Sequence, residues 1–227
     1  SSMNAHAPLT DTSALTAHRK RVRADAMFLH QTAREEIQDR LELVNRTFTQ
    51  AAVVTGFPET WRNLIPDARI VSEGETLDLQ PGTQDLVIHA MGLHWANDPV
   101  GQLIQCQRDL GALLQRAGFA LPVADVLTQR VEYKSPLHLM HDLRAMGETN
   151  ALTGRLRKPT RKAVIMDAVA RYQSAFGTDT GRIRTTFDLV FLAGWAPDPS
   201  QPKALRPGSA QQRLADALNV AERPLPD

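Results

Sequence analysis

Cysteine, long apolar runs and an excess of either charge are nearly absent from this chain. Its 227 residues contain one cysteine, Cys106, which excludes a disulfide within the chain and fits a reducing compartment. Lysine and arginine number 26 against 25 aspartates and glutamates, so the net charge of +1 gives no electrostatic argument for binding nucleic acid or a membrane surface. No apolar stretch approaches the ~20 residues that a membrane-spanning helix needs.

The remaining composition is that of an ordinary globular protein, with 42% hydrophobic and 22% charged residues. We expect an N-terminal helical segment over residues 1–50 and one large domain over 51–227. Within that domain we predict a helical insertion at 136–180 and a proline- and serine-rich tail at 197–227. Because the first residues lack the apolar region of a signal peptide, we expect a cytoplasmic protein.

The N-terminal segment is polar and then basic. Thr12 or Ser13 is a plausible cap for the first helix. The cations that follow are interpreted as a solvated helix face, with a phosphate-bearing partner as the alternative; they are His18, Arg19, Lys20, Arg21 and Arg23. Apolar residues at helical spacing between Phe28 and Phe48 then predict a long amphipathic helix.

Short β-branched runs alternate with helical patterns along the rest of the chain. Strands are predicted at 51–54, 68–71, 86–90, 126–133 and 186–195. Helices are predicted at 59–64, 100–110, 111–117 and over most of 136–176. This alternation predicts an α/β fold, with a parallel or mixed sheet covered by helices on both faces.

Residues 85–99, which read DLVIHAMGLHWANDP, form the most informative stretch. An apolar run of strand type leads into a polar, turn-forming end at Asn97-Asp98-Pro99. A buried parallel strand delivers side chains in this way to the carboxyl edge of its sheet, where α/β proteins bind ligands.

This stretch resembles the fourth strand and following loop of class I S-adenosylmethionine (SAM) methyltransferases. The branch it resembles contains the malonyl-carrier-protein methyltransferase of biotin synthesis and a mitochondrial complex I assembly factor that hydroxylates arginine. Residues 111–136, 139–152 and 190–210 are similar to later segments of the same branch, in the same order. The resemblance implies a Rossmann-like sheet whose last strand is antiparallel, and SAM as cofactor. It also implies methyl transfer to a small acid, a carrier-bound acyl group or a protein side chain.

The cofactor loop departs from the family pattern, in which an acidic residue and a Gly-x-Gly-x-Gly turn follow the first strand. Here the turn reads Thr55-Gly56-Phe57-Pro58, with one glycine. Pro58 removes a backbone N–H, and Phe57 is expected to crowd the site. The resemblance still assigns Thr55, Gly56 and Phe57 to the cofactor site.

The family also places an acidic residue after its second strand to accept the ribose hydroxyls. This chain skips that strand and its helix, and Glu73 or Glu75 is the available acid, facing an adenine amine. His89, Ala90 and Met91, at the end of the next strand, complete the expected cofactor site. The sheet is therefore expected to be truncated or degenerate in its N-terminal half.

A second gap lies between Leu110 and Gly111, where relatives have a turn, a fifth strand and an active-site segment. Either the gene has lost a central strand, or the sequence omits residues of the natural chain. We favour the second alternative, because deleting an interior strand would expose the ladder groups of both neighbours. An intact mass equal to 25.1 kDa would contradict it.

Histidines supply the candidate chemistry. His94 can orient a substrate or act as a base near neutral pH, or it can simply pack the loop together with Trp95. His89 is interpreted mainly as a hydrogen-bonded core residue. His138 and His141 share one helix face, but no third ligand is evident, so no metal site is predicted.

The sequence is compatible with two functions. The first is a SAM-dependent methyltransferase with a degenerate cofactor loop. The second is a non-catalytic descendant, a pseudoenzyme that serves as an assembly or protein-binding factor, and the Thr55–Pro58 turn favours it. Saturable SAM binding would distinguish the two.

Overall fold

The computed structural model describes residues 8–44, 46–80, 82–109 and 120–195. Helices and strands alternate along this part of the chain. Their bounds are α1 Thr12–Arg19, α2 Phe28–Leu43, β1 Ala51–Thr55, α3 Pro58–Trp61, β2 Arg69–Ser72, β3 Leu86–His89, α4 Pro99–Asp109, β4 Ala120–Tyr133, α5 Pro136–Ala145, α6 Lys162–Phe176 and β5 Ile183–Trp195. Within the described ranges, no helix is long and apolar enough to cross a membrane.

Three parallel strands form the first sheet, in the order β2-β1-β3. In the centre, Val53 lies opposite Ile70 on one side and Ile88 on the other. All five residues of β1 are buried, since helices cover both faces of the sheet. β2 pairs directly with β1, and no strand intervenes in the sequence between them.

The side chains of β1 alternate between two cores. Ala51 and Val53 join α2 and α3 in a cluster that contains Leu29 and Trp61. Ala52 and Val54 face the other way, toward a cluster that contains Cys106 of α4. The predicted α/β architecture with helices on both faces of a parallel sheet is therefore confirmed.

A separate antiparallel pair is formed by β4 and β5. Val126 lies opposite Val190, and Tyr133 lies opposite Ile183. This confirms the strands predicted at 126–133 and 186–195 and the antiparallel pairing of the last strand. The resemblance implied that this strand belongs to the Rossmann-like sheet, whereas the structure places it in a separate two-stranded sheet with β4. β4 begins earlier than predicted, and its ladder is irregular between Ala120 and Val123.

The predicted helical stretch at 136–176 consists of two helices with a non-helical connection. α5 starts with Pro136 at its first position, where the missing N–H costs nothing. After α5, Gly147 adopts a φ of +82°, the left-handed conformation that commonly follows a helix end. Chain direction changes there, which places the turn 147–150 against α1.

Two expectations about the N-terminal segment are wrong. The cap of α1 is Asp11, whose carboxylate accepts a hydrogen bond from the Ala14 N–H, and not Thr12 or Ser13. α2 ends at Leu43 because Val44 is already extended, so Phe48 lies outside the helix. The helix predicted at 111–117 and the tail at 197–227 lie outside the described residues.

Candidate functional site

Three loops meet at the carboxyl edge of the parallel sheet, around the carboxylate of Glu73. Glu73 directly follows β2, Gly56 follows β1, and Gly92 lies three residues beyond β3. A methyl group on Gly56 would lie 2.8 Å from Glu73 Oε1, and one on Gly92 would lie 3.0 Å from Glu73 Cδ. Both glycines therefore give the carboxylate the space it occupies.

Arg19, at the end of α1, pairs with Glu73 from above this edge. The side chains of the two residues are only 14% and 11% exposed, so the ion pair is largely shielded from water. The Arg19 guanidinium also lies 5.2 Å from the centre of the Phe57 ring, within cation–π range. The interpretation of the basic cluster as a solvated face is wrong for Arg19.

Residues far along the chain hold α1 in this place. Ala151 accepts a hydrogen bond of 2.8 Å from the Asp11 N–H, and the Asp11 carboxylate accepts one of 2.9 Å from Arg155. His18 Nδ1 lies 3.1 Å from the Thr149 hydroxyl. These contacts fix the helix that supplies Arg19 to the site.

A cleft of about 340 Å³ opens between α1 and the ends of β1 and β2. This volume lies within the range of small-molecule sites. Hydroxyl groups, two cations and the Glu73 carboxylate face it, beside the Gly56 turn. Its lining residues are Thr16, Arg19, Lys20, Thr55, Gly56, Pro58, Ile70, Ser72 and Glu73.

His89 lies at the end of β3 with a defined tautomer. The Gln102 amide nitrogen donates to the Gly74 carbonyl at 2.7 Å, so the Gln102 oxygen faces His89 Nε2, also at 2.7 Å. Nε2 therefore carries the proton, and Nδ1 is a buried acceptor without a partner in the described structure. Burial lowers the pKa of His89, although the Gln102 hydrogen bond opposes this, and the ring is neutral near pH 7.

The loop after β3 is tied to the turn after α5 by Glu148. Its Oε2 accepts a hydrogen bond of 2.9 Å from the Trp95 indole and lies 3.0 Å from His94 Nε2. Burial would raise the pKa of Glu148, but the hydrogen bonds with His94 and Trp95 hold it below its ordinary value. Glu148 is therefore a carboxylate at neutral pH.

The residues expected from the sequence divide into two groups. Thr55, Gly56 and Glu73 line the cleft, whereas Ala90 and Met91 follow β3 outside its lining. His89 also stands outside the lining. Glu75 is exposed and accepts a 2.7 Å hydrogen bond from Asn97.

Phe57 does not crowd the cleft as expected. Its side chain is buried in the core, 4.5 Å from the His30 ring centre in an edge-to-face contact. Thr16, Arg19 and Lys20 were missed as lining residues. One signal in the sequence pointed to them. Basic residues are concentrated at 18–23, and an acid of opposite charge, Glu73, directly follows a strand.

The two histidines of α5, His138 and His141, are not joined by further metal-ligating side chains among the described residues. His138 Nδ1 lies 2.8 Å from the Ser135 hydroxyl. In the part of the chain that the structure describes, no group of three histidine, cysteine or acidic side chains is placed to hold a metal ion.

Comparison with known proteins identifies two kinds of relative. The mitochondrial arginine-hydroxylase NDUFAF5 of Danio rerio is 26% identical over 80% of this chain and 71% of its own length. The malonyl-[acyl-carrier protein] O-methyltransferase of Methylovorus sp. (strain MP688) is 32% identical over 48% of this chain and 37% of its own length. Both kinds of relative are methyltransferase-like, and this chain is similar to each of them over the shares given. The resemblance to the branch that was expected from residues 85–99 is confirmed. No protein-family model matches the chain, and no solved structure matches it.

Coverage of these methyltransferase-like relatives is uneven. The chain spans 56% of the human arginine-hydroxylase NDUFAF5 and 25% of the Dictyostelium discoideum protein, which is 37% identical over that part. The match to the zebrafish protein extends over 228 residues but uses only 80% of this 227-residue chain. That relative therefore has residues within the matched region that have no counterpart here.

Proposed function

We propose that this protein binds SAM in the cleft between α1 and the strand ends, and that it acts as a methyltransferase. The carrying observation is the position of Glu73. It follows the strand next to β1 and faces the Gly56 turn, which is where doubly wound folds place the acid that accepts ribose hydroxyls. Homology to a methyltransferase-like branch supports the same assignment.

The polar groups at the cleft fit the functional groups of this cofactor. Arg19 Nη2 is a buried donor without a partner among the described residues, and Glu73 Oε2 is a buried acceptor without one. The Arg19–Glu73 ion pair uses the other nitrogen and the other oxygen, so it leaves these two atoms for a ligand. Arg19 would hold the cofactor carboxylate and Glu73 the ribose hydroxyls.

When bound, SAM supplies an activated methyl group on a positively charged sulfur. The protein's own contribution is to orient and to exclude water, since this chemistry needs few reacting side chains. α1 forms the outer wall of the cleft, and the buried Arg19 closes it toward the core. Absence of a catalytic triad is therefore no argument against the proposal.

The names of the relatives suggest the class of methyl acceptor. A carrier-bound acyl group follows from the malonyl-[acyl-carrier protein] O-methyltransferases, and a protein side chain follows from the arginine-hydroxylases. We further propose that the parallel sheet is a truncated Rossmann-like methyltransferase sheet and that residues 136–180 are a helical insertion. We also propose that the protein acts in the cytoplasm.

A second candidate is a non-catalytic assembly or protein-binding factor. The observation that favours it is the turn after β1, where Pro58 offers no N–H and Gly56 is followed by a core phenylalanine. Fold analogy alone does not choose between the two candidates.

Calorimetric titration with SAM and with its demethylated product separates them. The proposal predicts saturable binding of both, weakened at least about tenfold by Glu73→Gln, which removes a charge-assisted acceptor. Glu132→Gln on β4 is the matched control and should leave binding unchanged. Absence of heat and of thermal stabilisation at millimolar ligand would contradict the proposal in favour of the second candidate.

A further inference from the structure

The pair formed by His94 and Glu148 is not used by the cofactor assignment. His94 lies in the turn after β3, and Glu148 lies in the turn after α5, 54 residues further along the chain. Two segments that the family resemblance singled out separately, 85–99 and 139–152, therefore meet through one carboxylate. Trp95 donates to the same Glu148 oxygen and fixes its direction.

The hydrogen bonds define which His94 nitrogen is free. Since the ionised Glu148 only accepts, the proton in the contact at 3.0 Å belongs to His94 Nε2. In the neutral form of the ring, Nδ1 therefore carries the lone pair, on the side opposite Glu148. The His94 side chain is 51% exposed, whereas that of Glu148 is 23% exposed.

The pair also belongs to the same edge of the sheet as the cleft. A methyl group on Gly92, two residues before His94, would lie 3.0 Å from Glu73 Cδ, and one on Gly147, next to Glu148, would lie 3.8 Å from Arg19 Cα. Glu73 and Arg19 both line the cleft. The arrangement is that of a base oriented by a carboxylate, beside a site for a small molecule.

We propose that His94 is a general base, that Glu148 is its positioning residue, and that the methyl acceptor is an N–H or O–H group rather than a carboxylate. This inference rests on the proposed function. A carboxylate acceptor has no proton to give, and it would face the Nδ1 lone pair and the negative charge of Glu148.

The acceptor nitrogen or oxygen uses its electron pair to form the bond to the methyl carbon, and its proton passes to His94 Nδ1. The electron pair of the broken carbon–sulfur bond stays on sulfur, which becomes a neutral thioether. Glu148 stabilises the imidazolium that results and remains ionised.

The first test needs neither cofactor nor substrate. In the full chain labelled with ¹⁵N-histidine, long-range ¹H–¹⁵N NMR should show His94 as the Nε2–H tautomer. Glu148→Ala should release the ring into a mixture of tautomers, and Glu148→Gln, which keeps an acceptor oxygen, should restore it. The control Glu132→Ala should have no effect. The same mixture in the unaltered chain and in Glu148→Ala would overturn the dyad.

The second test concerns the acceptor. With methyl-labelled SAM, the unaltered chain is offered two probes, a peptide with free lysine, arginine and serine side chains and malonyl-acyl carrier protein. We expect label on the peptide, reduced about 100-fold or more by His94→Gln, with SAM binding by calorimetry changed less than twofold.

The outcomes are distinguishable. No calorimetric SAM binding defeats the proposed function, while the tautomer measurement still judges the dyad. SAM binding without label on the peptide, or label on malonyl-acyl carrier protein that His94→Gln leaves unchanged, overturns the proposed base and its acceptor class.

Discussion

The Trp61 indole Nε1–H donates a 3.0 Å hydrogen bond to His30 Nδ1 inside the core beneath the cleft. Both residues are essentially inaccessible, at 0% and 2% exposure. Because the indole only donates, His30 Nδ1 must be unprotonated and its Nε2 carries the hydrogen. Burial lowers the pKa of His30 from 6.5 to about 4.

Acid should therefore destabilise the fold through His30. Between pH 6.5 and 4 the unfolded chain binds a proton that the folded chain does not, so the free energy of unfolding falls as the pH falls. This shift corresponds to about 3 kcal/mol, present above pH 6.5 and largely lost at pH 4. Urea unfolding of the unaltered chain and of His30→Gln at both pH values checks it. An equal pH dependence in both proteins would contradict the assignment.

The shielded ion pair predicts a large cost for removing one partner. Arg19→Met should leave the Glu73 carboxylate buried without a partner and lower the free energy of unfolding by about 3 kcal/mol. Adding Glu73→Gln should recover part of this loss. Arg62→Met is the control, because its pair with Glu59 is exposed and should be worth less than about 1 kcal/mol. Additive losses in the double variant would show that the two charges do not interact.

Gly56 should tolerate no side chain if the cleft is the cofactor site. The methyl group of Gly56→Ala would lie 2.5 Å from Arg19 Cζ, so it must displace the guanidinium. We expect SAM affinity to fall at least about tenfold, because the charged contact to the cofactor carboxylate is lost. Gly154→Ala is the matched control, since nothing lies within 4 Å of its methyl group. Equal affinities in the two variants by calorimetry would place the cofactor elsewhere.

Gly147 and Gly181 offer a matched pair for measuring how tightly Val22, just after α1, packs against the turn that follows α5. Both have positive φ, +82° and +77°, so alanine is strained by about 1 kcal/mol at each. At Gly147 the added methyl also lies 2.8 Å from Val22 Cγ2, whereas at Gly181 it meets nothing within 4 Å. Gly147→Ala should therefore lower the free energy of unfolding by about 1–2 kcal/mol more than Gly181→Ala. If denaturant titrations show equal losses of unfolding free energy in the two variants, the Val22 side chain moves aside at no cost in stability.

The fold was largely predictable because its strands are short β-branched runs whose burial follows local pattern. β1 and β3 were expected within one residue of their bounds, and Glu73 was identifiable because it directly follows a strand. Arg19 was not, since its environment depends on α1 lying over the ends of β1 and β2, and the end of β2 is more than fifty residues further along the chain. The same applies to Glu148, whose role depends on its contact with His94 and not on the helix that precedes it.

The direction of the Phe57 side chain could not be predicted from its position in the sequence. Its place in the cofactor turn suggested a side chain directed into the site. Whether it points to the cleft or to the core depends on the φ and ψ angles of one residue and on the space beside His30. No residue spacing reports either quantity.

The attachment of α1 also determines when the cleft can form during synthesis. Asp11 and Arg155 are separated by 144 residues, so this contact of α1 forms only after Arg155 has left the ribosome, later than the pair of Arg19 with Glu73 can form. At elongation rates of about 5–20 residues per second, synthesis of these 144 residues takes roughly 7–29 s. Until then α1, the outer wall of the cleft, lacks its contacts with residues 149–155, and the binding site is completed only when those contacts form.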